Sequence, residues 1–126
     1  MEFSSRRFAD VVVAVPVGPI SHANALQLEQ AMAPVVSDAA AAGTPVVLDF
    51  SGVDYICSMG LRVLMAASKQ MRASNAAIAV ADLKPEVGEI FGIARFQYVL
   101  QVFPSVRDAL LALSAPAAAA YDGSVA

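Results

Sequence analysis

The sequence predicts an α/β fold: a single domain on a mixed, mostly parallel sheet of about five strands with four main helices. Three observations predict it. Short Val-rich apolar runs alternate with longer segments whose apolar residues recur at helical spacing. The runs Val46-Val47-Leu48-Asp49-Phe50 and Ala77 to Ala81 are almost wholly apolar, as strands covered on both faces are. Turn and cap residues fall between these runs in the order that repeated strand–helix–strand units require. Right-handed crossovers that always step in one direction wind such a chain into a β/α superhelix.

The elements follow in order. Residues 2–8 alternate loosely, Ala9-Asp10 offers a turn, and Val11 to Val17 is an apolar run, which reads as a β-hairpin. Pro16 falls near the end of the second strand, where a missing donor matters least. After Gly18-Pro19, the Ser21 hydroxyl is placed to cap a helix. Ala25, Leu28, Met32, Val35 and Val36 share one face of that helix, and Pro34 is expected to kink it or divide it in two. Gly43 and Pro45 end it. The strand at 46–50 leads through a loop to a helix over 58–73, with Leu61, Leu64, Met65, Ser68 and Met71 at helical spacing. Ala77 to Ala81 is the next strand. Pro85 opens a third helix, whose apolar face holds Val87, Ile90, Phe91 and Ala94. Tyr98 to Val102 reads as the last strand. Ser105, three residues before Asp108, resembles a capping box for a helix through Leu113. The domain therefore spans 1–113. Residues 114–126, dominated by Ala, Pro, Ser and Gly, read as a disordered tail with no periodic apolar face.

Composition narrows the function. The chain has 126 residues, 58% hydrophobic and 15% charged, which excludes a disordered or fibrous protein and allows a real core. With 8 basic against 11 acidic residues, there is no basic stripe, and nucleic acid is not expected as a partner. A single Cys and a single His cannot build a closed zinc site of about four ligands, so no metal or cofactor is expected. One Cys also forbids an internal disulfide, which fits a cytoplasmic protein. No apolar run approaches the roughly 18 residues of a membrane span, so no membrane insertion is expected. Arg6-Arg7 ahead of Val11 to Val17 has the outline of a signal peptide, but Asp10 interrupts it and the run is short and Val-rich, as a strand is.

In open α/β sheets, functional sites lie beyond the carboxyl ends of the strands. Three segments fall there: Gly18 to Ser21, Ser51 to Gly60, and Asp82 to Lys84. The middle one places Ser58 at the start of a helix, where its hydroxyl can serve as a cap. A phosphate there would meet the positive end of the helix dipole. Cys57 and His22 fall on loops expected to be neighbours, which raises a Cys–His nucleophile. No third orienting residue and no oxyanion motif accompany them, and Cys57 reads more simply as a small buried filler, so no catalytic residue is assigned. Gly18, Gly52 and Gly60 do not form a phosphate-cradling loop, and no Lys-Ser or Lys-Thr follows such a loop.

The segment Val46-Val47-Leu48-Asp49-Phe50-Ser51-Gly52-Val53-Asp54-Tyr55-Ile56-Cys57-Ser58-Met59-Gly60-Leu61-Arg62-Val63-Leu64 resembles the STAS domain family, in particular its stand-alone bacterial anti-sigma factor antagonists. The family pattern is an apolar strand, Asp, a loop with Val and an aromatic, then Asp-Ser-Ser/Thr-Gly-Leu and an apolar helix. Gly18-Pro19-Ile20-Ser21 is similar to the family's Gly-x-Leu/Ile-Asp. Leu83-Lys84-Pro85-Glu86-Val87 and Phe103-Pro104-Ser105-Val106 extend the match. The resemblance implies a non-enzymatic partner-switching protein. Its unphosphorylated form binds an anti-sigma factor, often a Ser/Thr kinase, and so frees a sigma factor. The kinase then phosphorylates the antagonist and a Ser/Thr phosphatase restores it. Ser58 takes the phosphoacceptor position, and the implied partner-binding residues are Ser21, His22, Asp54, Cys57, Ser58, Met59, Gly60 and Arg62. Two positions depart from the pattern: Cys57 and Ser21 stand where the family has Asp. The alternative that the resemblance carries is a STAS accessory subunit that binds an ABC-type transporter ATPase without phosphoregulation.

Overall fold

Alternation along the first residues closes a hairpin. In the computed structural model, which describes residues 1–125, β1 (Glu2–Phe8) and β2 (Val11–Val17) pair antiparallel from Glu2↔Val17 to Phe8↔Val11. β3 (Val46–Asp49), β4 (Ile78–Ala81) and β5 (Gln101–Phe103) then add in parallel, giving the order β1-β2-β3-β4-β5. Every crossover steps the same way across the sheet, as the winding argument expects. Pro16 does no harm to the ladder, because β3 pairs β2 only from Val12 to Ala14.

Side chains alternate between two cores, because a strand presents successive residues to opposite faces. Val46, Leu48, Ile78 and Val80 face α1 (Ala25–Ala42), α2 (Ser58–Ala73) and α3 (Pro85–Ile93). Val13, Val47 and Ala81 face α4 (Val106–Leu113) and α5 (Ala115–Val125). Helices on both faces explain why the central strands are apolar throughout.

Several boundaries differ from the sequence expectation. Helix α1 runs undivided through Pro34, which is exposed, and it ends on Gly43 in the left-handed conformation at φ 67°. Its first residue is Ala25, so Ser21 does not cap it. Instead Asn24 precedes it, with no side-chain cap. The last strand begins at Gln101, not Tyr98. Phe96–Tyr98 forms a 3-10 turn because Phe96 is drawn into the core, edge-on to Phe91 at 5.2 Å. By contrast the Ser105 cap forms as expected, its Oγ accepting from the Asp108 N–H at 3.0 Å.

The largest correction concerns the tail. Residues 115–125 are helical, so among the described residues the sheet carries five α-helices rather than four. Ala has the highest intrinsic helix propensity, and small side chains let a helix approach closely without a conspicuous apolar stripe. Ala117 and Ala118 are buried, and Tyr121 packs edge-on against Phe8 with ring centroids 5.4 Å apart. Ser114 starts the helix: its Oγ accepts from Ala117 N–H at 3.3 Å and donates to Asp10. Asp122 pairs with Arg107 at 2.9 Å, and this hydrogen bond, with the accompanying charge attraction, raises the Arg107 pKa.

Candidate functional site

The carboxyl end of the sheet is built by two loops sewn together. Gly18 N–H donates to Gly52 carbonyl at 2.9 Å, Ile20 N–H to Tyr55 carbonyl at 2.8 Å, and Cys57 N–H to Ile20 carbonyl at 2.8 Å. Ile20 and Ile56 thus form a parallel bridge outside the main strands. Gly18, at φ +110°, supplies a backbone turn that other residues rarely adopt. Asp49 Oδ1 accepts from Ser51 N–H at 3.0 Å and starts the second loop. Gly60 then lets the first turn of α2 settle onto the two isoleucines.

This scaffold sets Ser58 as the first residue of α2, exposed, with Cys57 as the N-cap in extended conformation at φ −90°, ψ 173°. No side chain caps the helix, and no acidic residue lies in its first turn. The Ser58 hydroxyl therefore stands at the positive end of an uncapped helix dipole. Arg62 is exposed one helical turn further on, the spacing at which side chains on a helix surface meet.

Of the residues singled out from the sequence, His22, Asp54, Ser58, Met59 and Arg62 are exposed, and Ser21 is half-buried. Cys57 and Gly60 are buried, so they shape this edge from beneath and offer a partner no side chain. Among the described residues no side-chain hydrogen bond joins Cys57 to His22, and no group of three or more His, Cys, Asp or Glu is placed to hold a metal.

Two features of the site escaped the sequence reading. Asn24 orders the first loop: its Oδ1 accepts from Ser21 N–H at 2.8 Å and its Nδ2 donates to Pro19 carbonyl at 2.7 Å. An Asn three residues past Ser21 and directly before the helix is the signal that could have shown it. The second feature is a groove of about 390 Å³ between α1 and α2, which begins beside Ser58 at Leu26 and Met59. Leu26 and Met59 are 62% and 43% exposed, which makes the edge apolar as well as uncapped.

A family profile described as the STAS domain matches residues 3–109. BtrV of Bordetella bronchiseptica, proposed by its name to be an anti-sigma factor antagonist, is 36% identical over 82% of this chain and 84% of its own. The crystal structure of an anti-sigma factor antagonist from Mycobacterium paratuberculosis superposes with a TM-score of 0.78 at 25% identity, covering 88% of this chain and 92% of that one. The Bacillus cell fate determinant SpoIIAA in its phosphorylated form shares the fold, with a TM-score of 0.65 at 14% identity over 90% of this chain and 100% of that one. Among the described residues no helix is long and apolar enough to cross a membrane.

Proposed function

The chain belongs to the STAS domain family, and from that premise we propose that it is a cytoplasmic, non-enzymatic anti-sigma factor antagonist switched at Ser58. In this reading the unphosphorylated protein binds an anti-sigma factor that is itself a Ser/Thr kinase. The bound sigma factor is released. Phosphorylation of Ser58 ends the complex, and a Ser/Thr phosphatase renews it. The observation that carries the reading is the exposure of Ser58 at the uncapped start of α2, beside exposed apolar Met59.

The physical logic is one of burial. An exposed hydroxyl is easily covered by a partner. A phosphate adds about −1.5 to −2 charge and three acceptor oxygens, and covering it without dedicated cations costs several kcal/mol. The helix dipole favours the phosphate by only about 1 kcal/mol, and it does so in the free protein too. The same modification therefore weakens a complex without unfolding the antagonist. The names borne by the relatives support this assignment, and SpoIIAA, a fold neighbour, occurs in phosphorylated and unphosphorylated forms.

The test is capture from an extract of the protein's own cells with the wild-type chain as bait. Recovery of an anti-sigma factor that gives up its sigma factor on adding the chain is the expected result. Recovery of an ABC-type transporter ATPase, with no sigma-regulating protein, would replace the proposal with the accessory-subunit reading.

A further inference from the structure

The groove between α1 and α2 carries one charge of opposite sign on each rim. Among the described residues its charged lining is Glu29 on α1 and Arg62 on α2, while Asp38 and Arg72 lie on other faces of the two helices, Arg72 donating to the Val99 carbonyl. Between Glu29 and Arg62 the floor is apolar: Met32, Val36 and Ala67 are buried, and the more exposed Leu26, Met59 and Val63 also line it.

From Ala25 to Val36 and from Met59 to Gln70 the two walls run for about three helical turns, or roughly 16 Å at 1.5 Å per residue. An open trough of that length, apolar along its floor and charged at both rims, has the form that receives the apolar face of a helix. A small apolar ligand would make no use of the rim charges. Methionines at such a surface adapt to the side chains that enter it.

We infer that this groove takes an amphipathic helix of a partner protein. The apolar stripe of that helix enters between Leu26 and Met59, a basic flank meets Glu29, and an acidic flank meets Arg62. The inference rests on the reading of the chain as a partner-binding module, but it does not depend on Ser58 or on the identity of the partner.

The probes are three synthetic helical peptides of about three turns. They share one Leu-rich stripe and differ only in their flanks: one basic and one acidic, both basic, or both acidic. Each is titrated into the full chain and followed by amide NMR shifts. The mixed-flank peptide is expected to shift residues along the groove and to bind about threefold to tenfold more tightly than either uniform peptide, the range for one exposed ion pair exchanged for a like-charge contact. Arg62→Glu puts a carboxylate on each rim of the groove and should transfer the preference to the all-basic peptide. Leu26→Asp, at an exposed site, should abolish binding of all three.

Shifts away from the groove, equal affinity for the three peptides, or an unchanged preference in Arg62→Glu would overturn the inference. So would shifts in the groove with decanoate but with none of the peptides, which would mark a small-ligand site. These results are independent of the capture experiment. A chain that binds the mixed peptide yet captures no anti-sigma factor keeps the groove and loses the proposed function. The converse keeps the function and loses the groove.

Discussion

Gly60 and Ile20 lie so close that a methyl group has no place between them: a Cβ on Gly60 would stand 2.5 Å from Ile20 Cγ2 and 2.8 Å from Ile56 Cγ1. Both isoleucines are buried and β-branched, and they hold each other across the bridge that joins the two site loops. The packing that carries the core thus also sets the height at which α2 begins, and with it the position of Ser58.

Gly60→Ala is therefore expected to destabilise the protein even though Ala is the better helix former. Overpacking a stiff core costs about 1–3 kcal/mol, and the gain in helix propensity returns up to about 1 kcal/mol. A net loss of about 1–2 kcal/mol should appear in urea denaturation with the slope unchanged. Unchanged or raised stability would show that α2 shifts freely, and that the bridge does not position the site.

Deleting the chain after Ser114 should cost stability. It removes the Phe8–Tyr121 edge contact, the buried Ala117 and Ala118, and the Arg107–Asp122 pair. The aromatic pair is worth about 0.5–1.5 kcal/mol beyond its burial, and the uncovered apolar face adds to that. The melting temperature is expected to fall by roughly 5–10 °C. Tyr121→Ala alone should reproduce part of the fall, and no change in either variant would show that α5 lies on the domain without supporting it.

The reason this helix was not legible lies in its residues. Sequence patterning finds a helix by large apolar side chains at regular spacing, and α5 buries alanines instead. The hairpin, β3, α2 and the Ser105 cap were legible because their signals are local: alternation, an apolar run, periodicity, a cap and its acceptor. Residues 98–100 were misread because burial of Phe96 against Phe91 of the preceding helix overrode strand propensity there. Within the site, Ser58 and its helix start were legible. The groove was not, since it exists only where the topology sets α1 against α2.

Cys57 invites a stabilising change. It occupies the N-cap of α2 in extended conformation and caps nothing. Ser at this position offers an oxygen to the open first-turn amides, worth about 0.5–1 kcal/mol. Cys57→Ser should raise the urea midpoint and leave partner binding intact, because the side chain is buried rather than presented. A loss of stability would mean that the thiol's packing outweighs the cap. A loss of binding in a folded variant would mean that the thiol itself takes part.

Ser58 carries the remaining prediction. In the free protein its side chain is exposed, so replacement by Ala, Asp or Glu should leave the fold and its melting temperature nearly unchanged. The proposed complex is different, because in it the partner would cover this edge. A carboxylate buried there without a dedicated cation costs several kcal/mol, and Arg62, one turn away, can pair with it in the free state and deepen the preference for staying free. Ser58→Asp and Ser58→Glu are expected to weaken anti-sigma factor binding by roughly a hundredfold, whereas Ser58→Ala binds as the wild type does. Calorimetric titration of the captured partner reads this directly. Incubation with the kinase and ATP, followed by mass spectrometry, should place phosphate on Ser58 of the wild type and none on Ser58→Ala. Cys57 and Ser21 stand where the family pattern has Asp, so in the proposed phosphorylation the kinase would meet Ser58 without those two carboxylates, with Asp54 the exposed acidic residue of the same loop. Equal affinity of the Ala and Asp variants, together with an unmodified Ser58, would leave a binding module whose switch lies elsewhere.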